Sequence, residues 1–215
     1  MQLPQNIEHV EIILPDLPIQ FTPSDNPFIS MNEILFLLHA ALAKKGNMLE
    51  IGVNRGKTTN NLARVAKNLG SKFIGVDVTE VPTTICDAQG PGECLPASQI
   101  GCDIVEEHKK YVDIKLINPN DPMSLSNLLQ SLDLKFDFIF IDGDHSYAGV
   151  KRDYESSLPY LSENGLMIFH DVWWDVEPRP VKGPIQLLQE LGGYIINNTH
   201  LGILKNHLER IANVT

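Results

Sequence analysis

The chain has 215 residues, of which 43% are hydrophobic and 20% charged, and it carries a formal net charge of −10 at pH 7. That length suits one domain with a sizeable core, and the acidic balance argues against nucleic acid or an anionic membrane surface as the main partner. The longest apolar run, residues 34–43, is interrupted by His39 and is too short to span a bilayer. No basic flank followed by an apolar core opens the sequence, so a reducing, cytoplasmic setting is expected. Cys86, Cys94 and Cys102 are odd in number, and their even spacing is not that of a zinc knuckle, which argues against a disulfide framework and against a metal site there.

In chain order, residues 1–29 carry five prolines and little periodicity, and read as an irregular lead-in with a short strand at 10–14. Ser30 followed by Glu33 has the pattern of a capping box. A helix is expected from there, with Leu35, Leu38 and Leu42 on its apolar face and Gly46 as its stop. A short buried strand at 48–51 leads through a glycine-containing turn into a helix carried by Leu62, Val65, Ala66 and Leu69. Further strands are predicted at 72–78, ending in Asp77, and at 112–117, 136–141 and 165–170. Helices at 98–110, 124–132 and 147–161 fit between them. Pro184 suits the first turn of a helix running to Leu191, stopped by Gly192 and Gly193. Two short apolar runs, 194–196 and 201–204, follow as a terminal hairpin.

Strands alternating with helices imply an α/β architecture, a mostly parallel sheet between two helical layers, with residues 30–215 as a single domain. The proline- and glycine-rich segment 80–96 is long for a connection in such a fold. It reads either as a lid over the strand ends or as a surface excursion. The run Phe136-Asp137-Phe138-Ile139-Phe140-Ile141 reads as a strand buried on both faces. It stops in Asp142-Gly143-Asp144-His145, and acidic groups at the carboxyl end of a buried parallel strand lie where open α/β sheets place their ligands.

The turn after the first buried strand, Glu50-Ile51-Gly52-Val53-Asn54-Arg55-Gly56-Lys57, does not suit a dinucleotide. Gly52 and Gly56 lack the Gly-x-Gly-x-x-Gly spacing that brings backbone amides onto a pyrophosphate, and the phosphate-loop pattern is also off by position. Glu50 would repel phosphates and attract a cation. S-adenosylmethionine meets these constraints, since it has no phosphate and carries an ammonium and a sulfonium. Asp77 is placed to accept hydrogen bonds from its ribose hydroxyls.

The stretches Leu49-Glu50-Ile51-Gly52-Val53-Asn54-Arg55-Gly56, Gly75-Val76-Asp77, Asp142-Gly143-Asp144-His145-Ser146-Tyr147 and Phe169-His170-Asp171-Val172 resemble, in order and spacing, the class I S-adenosylmethionine-dependent methyltransferases. The likeness is to the small branch similar to the metal-dependent catechol and caffeoyl-CoA O-methyltransferases and the macrolide-sugar O-methyltransferases. It implies a Rossmann-like three-layer sandwich whose seven-stranded, mostly parallel sheet ends in an antiparallel hairpin strand. It implies Glu50, Gly52 and Gly56 on the methionine part of the cofactor, Asp77 on the ribose and Asn120 near the adenine. Asp142 and Asp171 would sit on neighbouring strand ends, where two carboxylates repel unless a proton or a cation lies between them. A divalent metal, Mg²⁺ or Mn²⁺, is the implied answer, with Asp142, His170 and Asp171 as ligands. The imidazole in that set would shift preference from Mg²⁺ toward Mn²⁺, Fe²⁺ or Zn²⁺. His145 stands where the catechol-type enzymes carry a catalytic lysine, and as a base it is well matched to neutral pH. Asp144 reads as a ligand, as a partner orienting His145 or, the best fit, as the N-cap of the following helix.

The expected activity is metal-assisted O-methylation of a small hydroxylated molecule such as a sugar, a phenol or a secondary metabolite. Alternatives are a metal-independent O- or N-methyltransferase with a histidine base, a metal-dependent hydrolase, and a non-catalytic binder of the cofactor. Trp173-Trp174 and Pro178-Arg179-Pro180 would either wall the acceptor pocket or form a subunit contact, so a homo-oligomer is one outcome.

Overall fold

A computed structural model describes residues 7–12, 14, 16, 17, 19, 29–79, 96–172 and 182–212. Along the chain these form β1 (His9–Val10), α1 (Met31–Lys44), β2 (Met48–Ile51), α2 (Lys57–Leu69) and β3 (Phe73–Val78). After a 3₁₀ turn at Ala97–Gln99 come α3 (Glu106–Lys109), β4 (Asp113–Ile117), α4 (Ser124–Leu132), β5 (Phe136–Ile141) and α5 (Tyr147–Ser157). A second 3₁₀ turn, Leu158–Tyr160, precedes β6 (Leu161–Phe169), α6 (Gly183–Glu190), β7 (Gly193–Ile196), β8 (Gly202–Leu204) and α7 (Lys205–Ala212). The segment 80–95 and the residues Trp173, Trp174, Pro178, Arg179 and Pro180 lie outside the described residues, so the lid and pocket-wall expectations placed there lie outside as well.

One eight-stranded sheet runs in the order β1-β7-β8-β6-β5-β2-β3-β4. Every strand but β8 runs parallel, and β8 opposes both of its neighbours. The expected seven strands are present; the eighth is β1, contributed by the lead-in, which adds a parallel edge beside β7. Side-chain alternation divides the core between the two faces. Met48, Phe138, Phe140, Leu166 and Ile168 pack with α1 and α2. Leu49, Ile139, Ile141, Met167 and Phe169 pack with α4, α5 and α6. Central strands buried on both faces explain why the sequence at 136–141 is almost unbroken in its hydrophobicity.

Helix α1 starts with the expected capping box: the Ser30 side chain accepts from the Glu33 backbone and the Glu33 carboxylate accepts from the Ser30 backbone. Its stop lies one residue before Gly46, at Lys45, which takes the left-handed conformation (φ 56°). Gly46 is needed for a different reason, because a Cβ there would fall on the Asp137 carboxylate that accepts a hydrogen bond from Asn47 N.

Two expectations are corrected. Residues 98–110 do not form one helix. Gly101 turns left-handed (φ 70°), and Gly101 N and Asp103 N donate to the carbonyls of Asn54 and Arg55. Backbone bonding to the β2–α2 turn replaces the internal helical ladder, and only α3 remains helical. The chain also does not end on the hairpin: β8 passes directly into α7, where the buried His207 Nδ1 accepts from Met167 N, and Arg210 donates to Gly165 O.

Candidate active site

The carboxyl ends of β2, β3, β5 and β6 are drawn together by a ladder that continues past the strands. Gly52 N donates to Val76 O at 2.8 Å, Asp142 N to Ile51 O at 2.8 Å, and His170 N to Ile141 O at 3.0 Å. Gly52 sits at φ 97°, and a Cβ on it would fall on the Asp142 carbonyl. Glycine is required here by the close approach of the β5 end as well as by the backbone angle. Gly56 (φ 90°) is likewise covered, by Ile104 and Gly101.

Glu50, on β2, is fully buried, and neither of its carboxylate oxygens has a hydrogen-bond partner among the described residues. The Thr59 hydroxyl faces it without a hydrogen bond of ordinary geometry. Burial raises its pKa well above the usual carboxylate range, and the nearby Asp142 and Asp77 charges push the same way. A buried carboxyl with unused acceptor capacity is a socket for a cationic donor. Asp77 ends β3 half-buried, accepting from Asn54 N and Val78 N, each at 2.7 Å. Asn120 lies farther out, exposed in the turn after the edge strand β4, with its backbone N–H donated to Asn118 Oδ1.

Across β5 and β6 a second group converges. Asp142, His170 and Asp171 each offer a donor atom, and these atoms all lie within 4.8 Å of one another. His170 Nδ1 is 3.1 Å from Asp142 Oδ1 and 3.4 Å from Asp171 Oδ1. Such separations suit oxygen and nitrogen ligands held about 2.1 Å from one cation. His145 joins them, with Nε2 at 3.0 Å from Asp171 Oδ2 and 3.6 Å from Asp142 Oδ1. Burial alone would raise the Asp142 pKa, but the two facing imidazoles outweigh it and hold that carboxyl far below its ordinary range. Burial likewise opposes the charged forms of His170 and His145, and the carboxylates outweigh it, so both are raised. Asp171 is itself in the left-handed region (φ 54°), a turn that directs its carboxylate back toward β5.

A family model for a methyltransferase domain matches residues 49–172. That span is more than half of the chain and runs from β2 through the β6 strand end. The chain belongs to the methyltransferase domain family. No curated protein matches it in sequence. Among solved structures, this methyltransferase is similar to CalS11, a calicheamicin methyltransferase, at 16% identity and a TM-score of 0.57, covering 82% of this chain and 79% of that one. It is similar to an O-methyltransferase from Bacillus cereus in complex with SAH at 17% identity and a TM-score of 0.53, covering 82% of each chain. A putative O-methyltransferase from Klebsiella pneumoniae matches at 18% identity and a TM-score of 0.53, covering 85% of this chain and 83% of that one. At these identities the likeness is one of fold.

Several residues around the candidate site carry no sequence signal for their place in it. Ser146, not Asp144, is the N-cap of α5, accepting from Gly149 N at 3.0 Å. Asp144 instead accepts from Ser146 N and lies 3.7 Å from Arg152. Beneath this loop Asp153 is buried against Gly143, and burial pushes its pKa up to about 7. Gly183, opening α6, abuts the backbone of His145 and Tyr147 so closely that a Cβ would fall on the His145 carbonyl. Glu33, expected only as a helix cap, is 1% exposed and faces His170. Its pKa is held down at about 2, because His170 and the N–H groups of Ser30 and His200 outweigh the burial that would raise it.

Proposed function

We propose that this methyltransferase transfers a methyl group from S-adenosylmethionine to a hydroxyl oxygen of a small molecule, with a divalent metal, Mg²⁺ or Mn²⁺, held at the acceptor end. The observation that carries the reading is the buried, unpartnered Glu50 carboxylate, which suits the ammonium of the cofactor's methionine part. Gly52 and Gly56 keep the turn narrow beside it, Asp77 retains acceptor capacity for ribose hydroxyls, and Asn120 stands on the adenine side. Names of structural relatives, an O-methyltransferase with SAH and a calicheamicin methyltransferase, support the cofactor and the oxygen acceptor.

S-adenosylmethionine supplies an electrophilic methyl group when bound. A divalent metal at Asp142, His170 and Asp171 supplies Lewis acidity that lowers the pKa of an acceptor hydroxyl. His145 Nε2 faces the same carboxylates and takes up the acceptor's proton as a neutral base, the Asp142 and Asp171 charges stabilising the imidazolium that forms. Residues 30–215 act as one methyltransferase domain, with 1–29 as a lead-in, in a cytoplasmic setting. Among the described residues no helix is long and apolar enough to cross a membrane.

A second reading, metal-independent transfer with His145 as base, is favoured by one observation: His170 and His145 already stand at ion-pair distance from Asp142 and Asp171. Calorimetric titration with S-adenosylhomocysteine, with and without divalent metals, and an acceptor screen of diols and phenols test the proposal. Asp142→Ala should lower metal-stimulated turnover on the order of 100-fold or more while leaving S-adenosylhomocysteine affinity nearly unchanged. Turnover that survives EDTA selects the metal-independent reading, and absence of S-adenosylhomocysteine binding in every condition sinks both.

A further inference from the structure

Helix capping alone does not account for Glu33. In an ordinary capping box the glutamate reaches back to the N-cap N–H from a solvated first turn. Here the side chain is buried, and its two oxygens are both committed: Oε2 accepts from Ser30 N and Oε1 from His200 N, each at 2.5 Å. Burial of a carboxylate is costly unless a partner of opposite charge or a strong donor faces it. Two imidazoles face Oε1: His200 Nδ1 at 3.5 Å and, from the buried side, His170 Nε2 at 3.7 Å, just beyond hydrogen-bond length.

His170 is 3% exposed and confined by the Phe140 and His200 rings, which approach it edge-on at centroid distances of 6.0 and 6.4 Å. Its two nitrogens therefore meet two different carboxylate environments. Nε2 looks toward Glu33, and Nδ1 looks toward Asp142 and Asp171. An imidazole ligates through a nitrogen lone pair, and the proton on the other nitrogen is commonly held by a carboxylate that fixes tautomer and ring direction.

We propose that Glu33 is a positioning residue for His170, holding its Nε2–H so that Nδ1 presents its lone pair, beside Asp142 and Asp171, to a divalent cation of the Mn²⁺, Fe²⁺ or Zn²⁺ class. This rests on the metal-assisted reading of the site. It also assigns the N-terminus of α1 and the β7–β8 turn, through His200 N, a part in the metal centre. Both elements reach the site because α1 runs opposite to the strands and β8 is antiparallel, which brings their N-terminal ends to the carboxyl edge of the sheet.

The test is calorimetric titration of the metal-free protein with Mn²⁺ and with Mg²⁺. Glu33→Gln keeps an acceptor oxygen for the backbone but removes the charge. It should weaken Mn²⁺ binding about 10- to 100-fold, with S-adenosylhomocysteine affinity unchanged and Mg²⁺ binding affected less. In a His170→Gln background the same change should have no further effect on Mn²⁺ affinity. Wild-type Mn²⁺ affinity in Glu33→Gln, or an equal loss with and without His170, overturns the role of Glu33 alone. Failure of the wild-type protein to bind Mn²⁺ overturns the metal-assisted reading together with it. The wild-type protein loaded with diamagnetic Zn²⁺ provides a check that needs no variant. Long-range proton–nitrogen spectra should show His170 protonated at Nε2 and ligated at Nδ1, and ligation through Nε2 overturns the proposal.

Discussion

In Glu50 a proposed binding role and a cost in stability meet in one side chain. A carboxyl group buried at a strand end with no hydrogen-bond partner disfavours the folded state, because it gives up its hydration without replacement. Groups of this kind persist where a ligand supplies the missing contact. Glu50→Gln removes the charge while keeping the shape. The expected outcome is a rise in melting temperature together with a loss of S-adenosylhomocysteine affinity of about 10- to 100-fold, the range of one charge-assisted hydrogen bond. Thermal melts and calorimetry on the same two proteins decide it. Lower stability with unaltered binding would make Glu50 a structural residue. The Asp142/His145/His170/Asp171 group differs from Glu50 in that its charges face one another at 3.0–3.6 Å before any ligand arrives.

At the scale of elements, the site depends on contacts between segments that carry no chemistry themselves. Helix α6 begins against the loop that holds His145, and Gly183 is the point of contact. Tyr147 and Lys151 on α5 meet Glu190 at the other end of α6, so α6 is tied at both of its ends to the first half of α5 and the loop before it. Gly183→Ala should cost about 1–3 kcal/mol in stability through overpacking. It should also lower kcat by up to about 100-fold by displacing His145, while S-adenosylhomocysteine binding on the far side of β5 stays intact. Denaturant melts with steady-state kinetics measure both, and unchanged kcat would mean that the α6 contact does not govern His145. At the β2–α2 turn the segment that leads into α3 plays the corresponding part. Arg55 and Asp103 form a fork of two 2.8 Å hydrogen bonds, and Asn60 Oδ1 accepts from Val105 N and lies 2.8 Å from His108 Nδ1.

For the whole molecule, α7 couples acid stability to the sheet. His207 is 2% exposed, and its Nδ1 accepts the N–H of Met167 on β6, which only the neutral ring can do. Burial first, and the neighbouring Arg210 charge after it, lower its pKa to about 4. The unfolded chain, with an ordinary histidine pKa near 6.5, therefore takes up a proton at higher pH than the folded chain. The contribution is fully present above about pH 6.5 and is lost as pH falls toward 4, with a slope approaching about 1.4 kcal/mol per pH unit. Urea midpoints measured from pH 7 to pH 4 should fall for the wild-type protein. They should fall less steeply for His207→Gln, whose amide oxygen can still accept from Met167. Parallel pH profiles would show that His207 does not carry the effect.

Much of this architecture was legible in the linear order of residues. Periodicity and capping located the strands from β2 to β8 and the helices α1, α2, α4, α5 and α6, because the alternation of burial is written into every position of a strand or helix. The acidic strand ends were legible for the same reason: Glu50, Asp77 and Asp142 break off apolar runs where a parallel sheet exposes its carboxyl edge. What the sequence could not specify is which groups meet across that edge beyond Asp142, His170 and Asp171. Glu33 and His200 are 167 positions apart and share a hydrogen bond. Gly52 reads as a turn glycine, yet its freedom from a side chain serves the approach of the β5 end. The 98–110 segment has helical periodicity, but its backbone bonds to the β2–α2 turn. The sequence by itself determined the elements and the chemistry at their ends, because local patterns encode which face is buried. Only the tertiary structure decided that Glu33 and His200 join the Asp142, His170 and Asp171 group in one chain of contacts, because strand order and the antiparallel course of β8 choose the neighbours.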